Sequence, residues 1–327
     1  MKTWKQRTAW FRLVVIVLLF AFVSSSCAAP IPIAHANFIT LTPTVAPGNF
    51  MTRVFTGANG MQMTYYLFIP INYDPQIKYP LVLLLHGGDE RANVNNPPDQ
   101  NRNTLLNQDY VRVWGPGIPG SSSPGVQAQY PSFIVVPQVD YPQRWVDVPT
   151  SQGPYTLAAQ PTASLRMAKE IVDALQKQYP NIDSHRLYIT GISMGGYGTW
   201  DAIERWPGYF AAAAPLAGAG DPSKASRLVN LPIWAFHGSG DGDVPVAGSR
   251  DMIRAIKVAG GHPRYTEYAS AGHEIWVEVY STPAFISWLF SQHTSYPRPV
   301  SRVHRFRRPA TPSLLRTFER WLRTIFL

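Results

Sequence analysis

A serine between two glycines is the residue of this chain whose surroundings point most directly to chemistry. The stretch YITGISMGGYGTW, residues 188–200, puts Ser193 between Gly191 and Gly195, after a β-branched run and before a helix-like segment. Gly-x-Ser-x-Gly in a strand–turn–helix context is typical of a nucleophile elbow, in which a sharp turn lifts the serine hydroxyl above the edge of a sheet. Glycine tolerates the crowded backbone of such a turn. We therefore predict that Ser193 is a nucleophile.

A serine nucleophile needs two partners further along the chain. Its hydroxyl is weakly nucleophilic, so it requires a base within hydrogen-bond reach and a third group that orients the base. In this arrangement the order along the chain is serine, acid, histidine. His273, in YASAGHEIW, follows a β-like run and precedes the last helix of the body, and it is the predicted base. Asp241 follows the apolar run IWAFHG by a short loop and is the predicted acid, with Asp243 open as the alternative.

Negative charge that develops on a substrate oxygen is stabilised by backbone N–H donors held in advance. The residue after the serine, Met194, is the first predicted donor. The second comes from the loop after the first parallel strand, which here is HGG, residues 86–88, and Gly88 is its predicted donor. His86 and His237 each begin a His-Gly pair. We predict that both are structural hydrogen-bonding groups.

Composition excludes several other classes of protein. The eight histidines form no cluster with metal-ligand spacing, so neither a metal nor a cofactor is predicted. The formal net charge of +9 belongs to the ends: residues 1–36 hold four Lys/Arg and no acid, and residues 294–327 hold eight Arg and one Glu. The stretch between them is nearly neutral. A nucleic-acid-binding protein carries its basic patch on the fold itself, so no nucleic-acid partner is predicted.

The elements that must position these residues alternate along the chain. Short continuous apolar runs are typical of strands buried on both faces of a parallel sheet, and they occur at 80–88, 133–138, 186–193, 211–218 and 232–238. Helical periodicity is found at 162–180, 196–207, 247–261 and 282–292. Two β-rich runs around Asn59-Gly60 predict a hairpin. The predicted fold is therefore α/β, with a mostly parallel central sheet flanked by helices and an antiparallel N-terminal hairpin at its edge. The polar stretch 89–130 is predicted to be a long loop, either functional or disordered.

Taken in order, these motifs resemble the α/β-hydrolase superfamily. Over about residues 52–292 the chain contains the blocks LVLLLHGG, RLYITGISMGGYGTWDAIERWPGYFAAAAPLAGAGD, IWAFHGSGDGDVPV and YTEYASAGHEIW. They are most similar to bacterial secreted esterases of the polyhydroxybutyrate-depolymerase, feruloyl-esterase and phospholipase/carboxylesterase group. The resemblance implies a catalytic triad of Ser193, Asp241 and His273. Family members often have Asp-Asp-x-Val-Pro or Asp-Pro-x-Val-Pro at the acid, and Asp-Gly-Asp-Val-Pro here leaves Asp243 open.

The resemblance also directs attention to PQRWVDV, residues 142–148, which is similar to a block near the cleft of these esterases. Trp145 is there either a substrate-binding residue, on the floor of an acyl or sugar pocket, or a core residue. The function expected from the motifs is that of a serine hydrolase that cleaves carboxylic esters, with a small-molecule or polysaccharide-linked ester as substrate. Two alternatives are a prolyl-oligopeptidase-type serine peptidase and a non-catalytic carbohydrate- or surface-binding protein on a hydrolase fold.

The N-terminal segment predicts export. Residues 1–36 combine a positively charged start with an apolar run of eleven residues, 13–23, which is typical of a signal peptide and short for a spanning helix. An alternative is a lipoprotein signal ending before Cys27, the only cysteine, which would then carry the lipid and anchor the protein to the cell envelope. An extracellular or envelope-associated protein is therefore expected.

The domain prediction divides the rest of the chain into three parts. Residues 37–49 form a linker, 50–293 the catalytic domain, and 294–327 a basic tail. The end of the tail, LLRTFERWLRTIFL, has an amphipathic helical pattern with arginines opposite an apolar face. Such a helix can lie on an anionic membrane surface. An unused extension is the alternative, and the oligomeric state is not predicted.

Overall fold

The computed structural model describes residues 49–121 and 125–294 of the chain. Its strands are β1 (Met51–Thr56), β2 (Gln62–Phe68), β3 (Tyr79–Leu85), β4 (Phe133–Pro137), β5 (Ile182–Ile192), β6 (Ala212–Leu216), β7 (Trp234–Gly238) and β8 (Arg264–Tyr268). Its α-helices are α1 (Pro98–Leu106), α2 (Asp109–Arg112), α3 (Val126–Gln129), α4 (Ala163–Gln178), α5 (Met194–Arg205), α6 (Ala247–Val258), α7 (Trp276–Tyr280) and α8 (Pro283–Ser291). None of these helices is long and apolar enough to cross a membrane.

The predicted signal peptide, Cys27, nearly all of the linker and nearly all of the basic tail lie outside the described residues. The predicted boundaries of the domain therefore remain predictions.

All eight strands form one sheet, in the order β1-β2-β4-β3-β5-β6-β7-β8. Strands β3 to β8 run parallel to one another, whereas β1 and β2 pair antiparallel and β2 joins the sheet antiparallel to β4. The prediction of a mostly parallel sheet with an antiparallel N-terminal hairpin at its edge is confirmed.

Helices cover both faces of the sheet, which explains the continuous apolar runs of its central strands. Every residue of β3, β4 and β6 is buried, as expected for strands covered on both faces. Helix α4 begins at the predicted place, where the Thr162 hydroxyl accepts the backbone N–H of Leu165 at 3.1 Å. The face of α4 that packs on the sheet contains the buried apolar residues Leu165, Ala168, Ile171, Val172 and Leu175.

The stretch 89–130 differs from the predicted long loop. Its described part contains the short helices α1, α2 and α3. Trp114, fully buried, packs edge-on against Tyr280 of α7 and Phe285 of α8, with ring centroids 5.1 and 6.4 Å apart. A few large apolar side chains thus hold a predominantly polar segment on the core. The prediction was wrong because composition averages over such anchors.

The parallel strands end at one edge of the sheet, and the residues singled out above lie in the loops that follow these strands. His86 comes after β3, Ser193 after β5 and Asp241 after β7, and His273 lies in the loop after β8. In open α/β sheets this carboxyl edge is where ligands bind. The topology alone therefore brings together residues that are up to 187 positions apart in the chain.

Candidate active site

Ser193 occupies a strained turn between β5 and α5. Its backbone has φ 52° and ψ −118°, in a region that residues with a Cβ avoid and that costs on the order of 1–3 kcal/mol. The backbone N–H of Ser193 donates to Leu216 O at 3.0 Å, and its carbonyl accepts the N–H of Tyr197 at 3.1 Å. The turn is therefore bound to β6 on one side and to helix α5 on the other, which keeps the strained conformation in place.

The glycines around Ser193 are required by close packing of the backbone. A Cβ on Gly195 would lie 2.0 Å from Leu85 O, at the end of β3. A Cβ on Gly196 would lie 2.3 Å from Leu216 O, at the end of β6. The first turn of α5 is thus wedged between two strand ends, and any side chain there would force the backbone apart.

The structure brings Ser193, His273 and Asp241 into one hydrogen-bonded run. His273 Nε2 lies 2.9 Å from Ser193 Oγ, and His273 Nδ1 lies 2.7 Å from Asp241 Oδ2. Because a carboxylate only accepts, Nδ1 carries the proton and Nε2 accepts the serine O–H. The ring of Trp276 packs edge-on against the imidazole at 5.1 Å. This is the geometry in which an imidazole can take a proton from a serine hydroxyl.

The side chain of Asp241 is buried, and both of its oxygens accept hydrogen bonds. Its other oxygen, Oδ1, accepts the backbone N–H groups of Asp243 and Val244, both at 2.9 Å. Burial alone would raise the pKa of Asp241, but hydrogen bonds from His237, His273 and these two amides outweigh it and hold the pKa well below its usual value. The carboxyl group is therefore ionised at neutral pH. Asp243 is exposed, and its backbone rather than its side chain contacts the buried acid.

A second histidine packs behind Asp241. His237 is fully buried, and its Nε2 lies 3.2 Å from Asp241 Oδ2 and 3.1 Å from Val244 O. Since both neighbours are acceptors, Nε2 carries the proton, and Nδ1 accepts from Ser249 Oγ at 2.8 Å. His237 is thus a structural hydrogen-bonding group, and its bond to Asp241 orients the carboxylate toward His273.

The loop His86–Gly88 has all three of its carbonyl groups bound by side chains. Trp145 Nε1 donates to His86 O at 3.0 Å, and Arg91 Nε donates to Gly88 O at 2.7 Å. The His86 ring bonds to Gly87 O at 2.6 Å. Because these three carbonyl oxygens are held by side chains, the backbone N–H groups of the loop point away from those side chains.

The bond to Gly87 O directly sets the direction of the predicted donor. In a trans peptide unit the C=O and the next N–H point in opposite directions, so holding Gly87 O fixes the N–H of Gly88. Space is open around the Gly88 Cα, because a Cβ there would meet no atom within 4 Å. The other predicted donor, Met194 N–H, is the first of helix α5 and has no acceptor within the helix. Both predicted donors thus lie at the edge that carries Ser193.

His86 is able to hold this carbonyl because it stays neutral. Its Nε2 accepts the backbone N–H of Val139 at 3.0 Å, which places the ring proton on Nδ1, toward Gly87 O. Burial lowers the pKa of His86 to about 4. The ring is therefore a fixed donor–acceptor bridge between the loop and the segment after β4.

One group of side chains within the described residues has the spacing of a cation site. Ligand atoms of Asp241, Asp243 and His273 all lie within 4.8 Å of one another. Asp241 and His273 are already hydrogen-bonded to each other, and His273 also to Ser193, so the geometry is that of a proton-transfer run rather than of a set of free ligands.

The chain is similar in sequence to known esterases and to a peptidase family. The model of the prolyl oligopeptidase family matches residues 168–227, which include the Ser193 turn. A bifunctional acetylxylan esterase/xylanase of Neocallimastix patriciarum is 32% identical over 178 residues, which cover 54% of this chain and 21% of that protein. Among solved structures, a thermostable esterase is 35% identical with a TM-score of 0.64 and covers 76% of this chain and 64% of that one. The chain has the α/β-hydrolase fold.

More distant structures share the fold. An acylaminoacyl peptidase bound to a chloromethyl ketone is 14% identical with a TM-score of 0.53, over 77% of this chain and 43% of that one. The chain spans about a fifth of the length of the acetylxylan esterase/xylanase and just under two thirds of the thermostable esterase.

The packing of Trp145 favours the core alternative. The side chain is fully buried, and a Cβ on Gly198 of α5 would lie 2.7 Å from its Cβ. Its ring packs against the ring of His86, with centroids 5.2 Å apart. Trp145 therefore contacts the loop from beneath, and no part of it is exposed to touch a substrate.

Sequence reasoning missed Arg91 and the bond from His237 to the acid. Arg91 carries no motif, and only the three-dimensional path of the loop brings its guanidinium to Gly88 O. His237 was assigned a structural role without a partner. Its spacing of four residues from Asp241 is the one signal that could have suggested the contact.

Replacing Gly195 by alanine is expected to destabilise the fold strongly. The new Cβ would meet the Leu85 carbonyl at 2.0 Å, and because two backbone segments cannot yield easily, we expect a loss of at least about 3 kcal/mol in the free energy of unfolding. Urea denaturation followed by tryptophan fluorescence measures this. Gly242→Ala is the matched control, since a Cβ there would meet nothing within 4 Å. Equal stability of the two variants would contradict the packing argument.

Asp241→Asn should reduce the acid sensitivity of the fold. Because the folded-state pKa of Asp241 is depressed, its ionisation stabilises the fold fully above the unfolded pKa of about 4, and this contribution is lost as pH falls toward the folded value. We therefore expect the free energy of unfolding to fall less steeply in this variant than in the parent from about pH 5 downward.

The measurement is a set of urea titrations at stepped pH values. Asp243→Asn serves as the control, because this neighbouring carboxylate is exposed, and it should keep the slope of the parent protein. A parental slope in the Asp241 variant would show that the buried carboxylate contributes nothing to acid sensitivity.

Proposed function

We propose that this protein is an exported serine hydrolase that cleaves carboxylic esters through an acyl-enzyme. The observation that carries the proposal is the hydrogen-bonded run from Ser193 through His273 to Asp241, with contacts of 2.9 and 2.7 Å. The run lies at the carboxyl edge of a parallel sheet, with a strained serine turn at its end. The identity of 35% to a thermostable esterase supports an ester as the substrate.

In the proposed first half-reaction, Ser193 Oγ attacks the ester carbonyl carbon while His273 Nε2 takes the hydroxyl proton. The N–H groups of Met194 and Gly88 stabilise the negative oxygen of the tetrahedral intermediate. Asp241 holds the imidazole in its tautomer and stabilises the imidazolium. When the intermediate collapses, the bond to the alcohol breaks and His273 returns its proton to the leaving oxygen.

The second half-reaction reverses these roles with water. His273 takes a proton from a water molecule that attacks the acyl carbon, and the second intermediate collapses to release the carboxylic acid. The proton returns to Ser193 Oγ. Each step needs only the residues named, and no cofactor enters the balance.

For the substrate class we propose an acyl group esterified to a carbohydrate. The support is the 32% identity to a protein named as an acetylxylan esterase/xylanase. Export is proposed from the signal-peptide pattern of residues 1–36 and is consistent with a polymeric substrate that stays outside the cell.

A serine peptidase is the second candidate. The prolyl oligopeptidase family model matches residues 168–227, and acylaminoacyl peptidases share the fold. The same serine, histidine and acid would serve either bond, so the two candidates differ in which leaving group the site accepts.

Ser193→Ala should abolish reaction with a fluorophosphonate probe and reduce kcat for p-nitrophenyl acetate by a factor on the order of 10⁴ or more, because the attacking oxygen is gone. Gel fluorescence and a spectrophotometric assay measure the two effects. Ser281→Ala, which removes an exposed hydroxyl, should leave both unchanged. Full labelling of the Ser193 variant would refute the assignment of the nucleophile.

The choice between ester and peptide bonds can be made with matched substrates. We expect kcat/KM for an unactivated methyl ester to exceed that for a blocked peptide p-nitroanilide by at least about 100-fold, because an esterase site places no groups to bind a peptide backbone. The Ser193→Ala variant gives the background for both substrates. A peptide anilide that is turned over as fast as the ester would favour the peptidase.

A further inference from the structure

An exposed aromatic ring stands close to the loop of the predicted oxyanion donor. Tyr141 is 61% exposed and is the one aromatic among the exposed large apolar side chains of residues 49–121 and 125–294. Exposing an aromatic face to water has no benefit for the fold, since burial of that surface would be favourable. Tyr141 therefore presents an aromatic surface that is available to a ligand.

Arg91 connects this ring to the active site. Its guanidinium carbon lies 4.8 Å from the centroid of the Tyr141 ring, and its Nε donates to Gly88 O at 2.7 Å. Its Nη1 donates to Pro142 O at 3.3 Å. A single side chain thus contacts the predicted oxyanion loop at one end and supports the aromatic ring at the other.

The backbone holds Tyr141 in place as well. Its N–H donates to Ala92 O at 2.7 Å, and the N–H of Ala92 donates to Val139 O at 2.8 Å. The segment after β4 and the segment that follows the loop His86–Gly88 are therefore joined by a parallel β-bridge between Ala92 and Asp140. Because Arg91 covers one face of the ring, the exposed area belongs to the other face and the edge. The Tyr141 ring is therefore held in position before a ligand binds, which lowers the entropy cost of binding.

Within residues 49–121 and 125–294, the charge of Arg91 has no carboxylate partner. No carboxylate of the described residues forms an ion pair with it. A half-buried guanidinium with unused N–H groups beside an open aromatic face offers both hydrogen-bond donors and a stacking surface. A pyranose ring matches this pair, because its C–H face is attracted to the negative face of an aromatic ring and its hydroxyls can accept from guanidinium N–H groups.

We propose that Tyr141, supported by Arg91, is a carbohydrate subsite that binds a sugar ring of the substrate while its ester group lies at Ser193. This inference rests on the proposed function and specifies the substrate as an acylated carbohydrate with a ring that extends beyond the ester. The subsite has no contact to offer a small ester. The contribution of Tyr141 should therefore depend on the substrate.

The experiment compares two substrates and three variants. Tyr141→Ala should raise KM for an acetylated xylo-oligosaccharide about 3- to 10-fold and leave kcat/KM for p-nitrophenyl acetate within about twofold of the parent, since only the sugar ring is lost from the contact. Tyr141→Trp, which keeps an aromatic face, should restore the parental KM. Val258→Ala is the control, because this side chain is 85% exposed at the far end of α6, a helix that begins beside the acid loop. Arg91 variants are unsuitable, because Arg91 also holds Gly88 O.

A binding measurement separates the subsite from the chemistry. Isothermal titration of the Ser193→Ala protein with the same oligosaccharide should give weaker binding when Tyr141→Ala is added. Equal effects of Tyr141→Ala on both substrates, or no effect on oligosaccharide binding, would overturn the subsite. Turnover of p-nitrophenyl acetate without any turnover of acetylated sugars would also overturn it and leave the ester hydrolase standing, whereas loss of both activities in the parent would refute the proposed function itself.

Discussion

Close approach of the Ser193 turn to the ends of β3 and β6 is the constraint on which the site depends. A side chain at either Gly195 or Gly196 would meet a strand carbonyl at 2.0 or 2.3 Å. The sheet therefore holds the start of helix α5 at a fixed distance from the loop that follows β3. Because the serine and the predicted donor on that loop are mounted on neighbouring strands, their separation is set by the spacing of the sheet rather than by loop flexibility.

Three histidines at the carboxyl edge of the sheet have different hydrogen-bond partners and therefore different roles. His273 bridges Ser193 and Asp241 and is partly exposed. His237 and His86 are fully buried. The first of these orients the acid, and the second holds the peptide unit before Gly88. Identical side chains thus differ in role because burial and partners decide which nitrogen carries a proton and whether that proton can move.

Much of the fold and the main residues of the site could be predicted from the sequence. The apolar runs of β3 to β7 are continuous because helices cover both faces of the sheet, and that pattern is legible without coordinates. Ser193 and His273 could be assigned because local context and chain order restrict the choice, and the structure brings the two side chains together at 2.9 Å.

Other features depend on contacts between distant segments and left no clear trace in the sequence. The spacing of Asp-Gly-Asp did not separate Asp241 from Asp243, because only the path of the loop buries the first side chain and exposes the second. Trp145 could be read as pocket or as core, and its burial follows from packing against α5. The helices within 89–130 were missed since a few anchors such as Trp114 are diluted by polar neighbours.

The bound carbonyls of the loop His86–Gly88 have a consequence for how the electric field at the site arises. The peptide dipoles of the loop are oriented during folding, by Trp145, His86 and Arg91, so in the proposed reaction they need little reorganisation. Trp145, although fully buried, would then contribute to the electrostatics of the proposed reaction as well as to the core. In that case a shorter side chain at this position would slow the proposed chemical step and leave the surface that a ligand contacts unchanged.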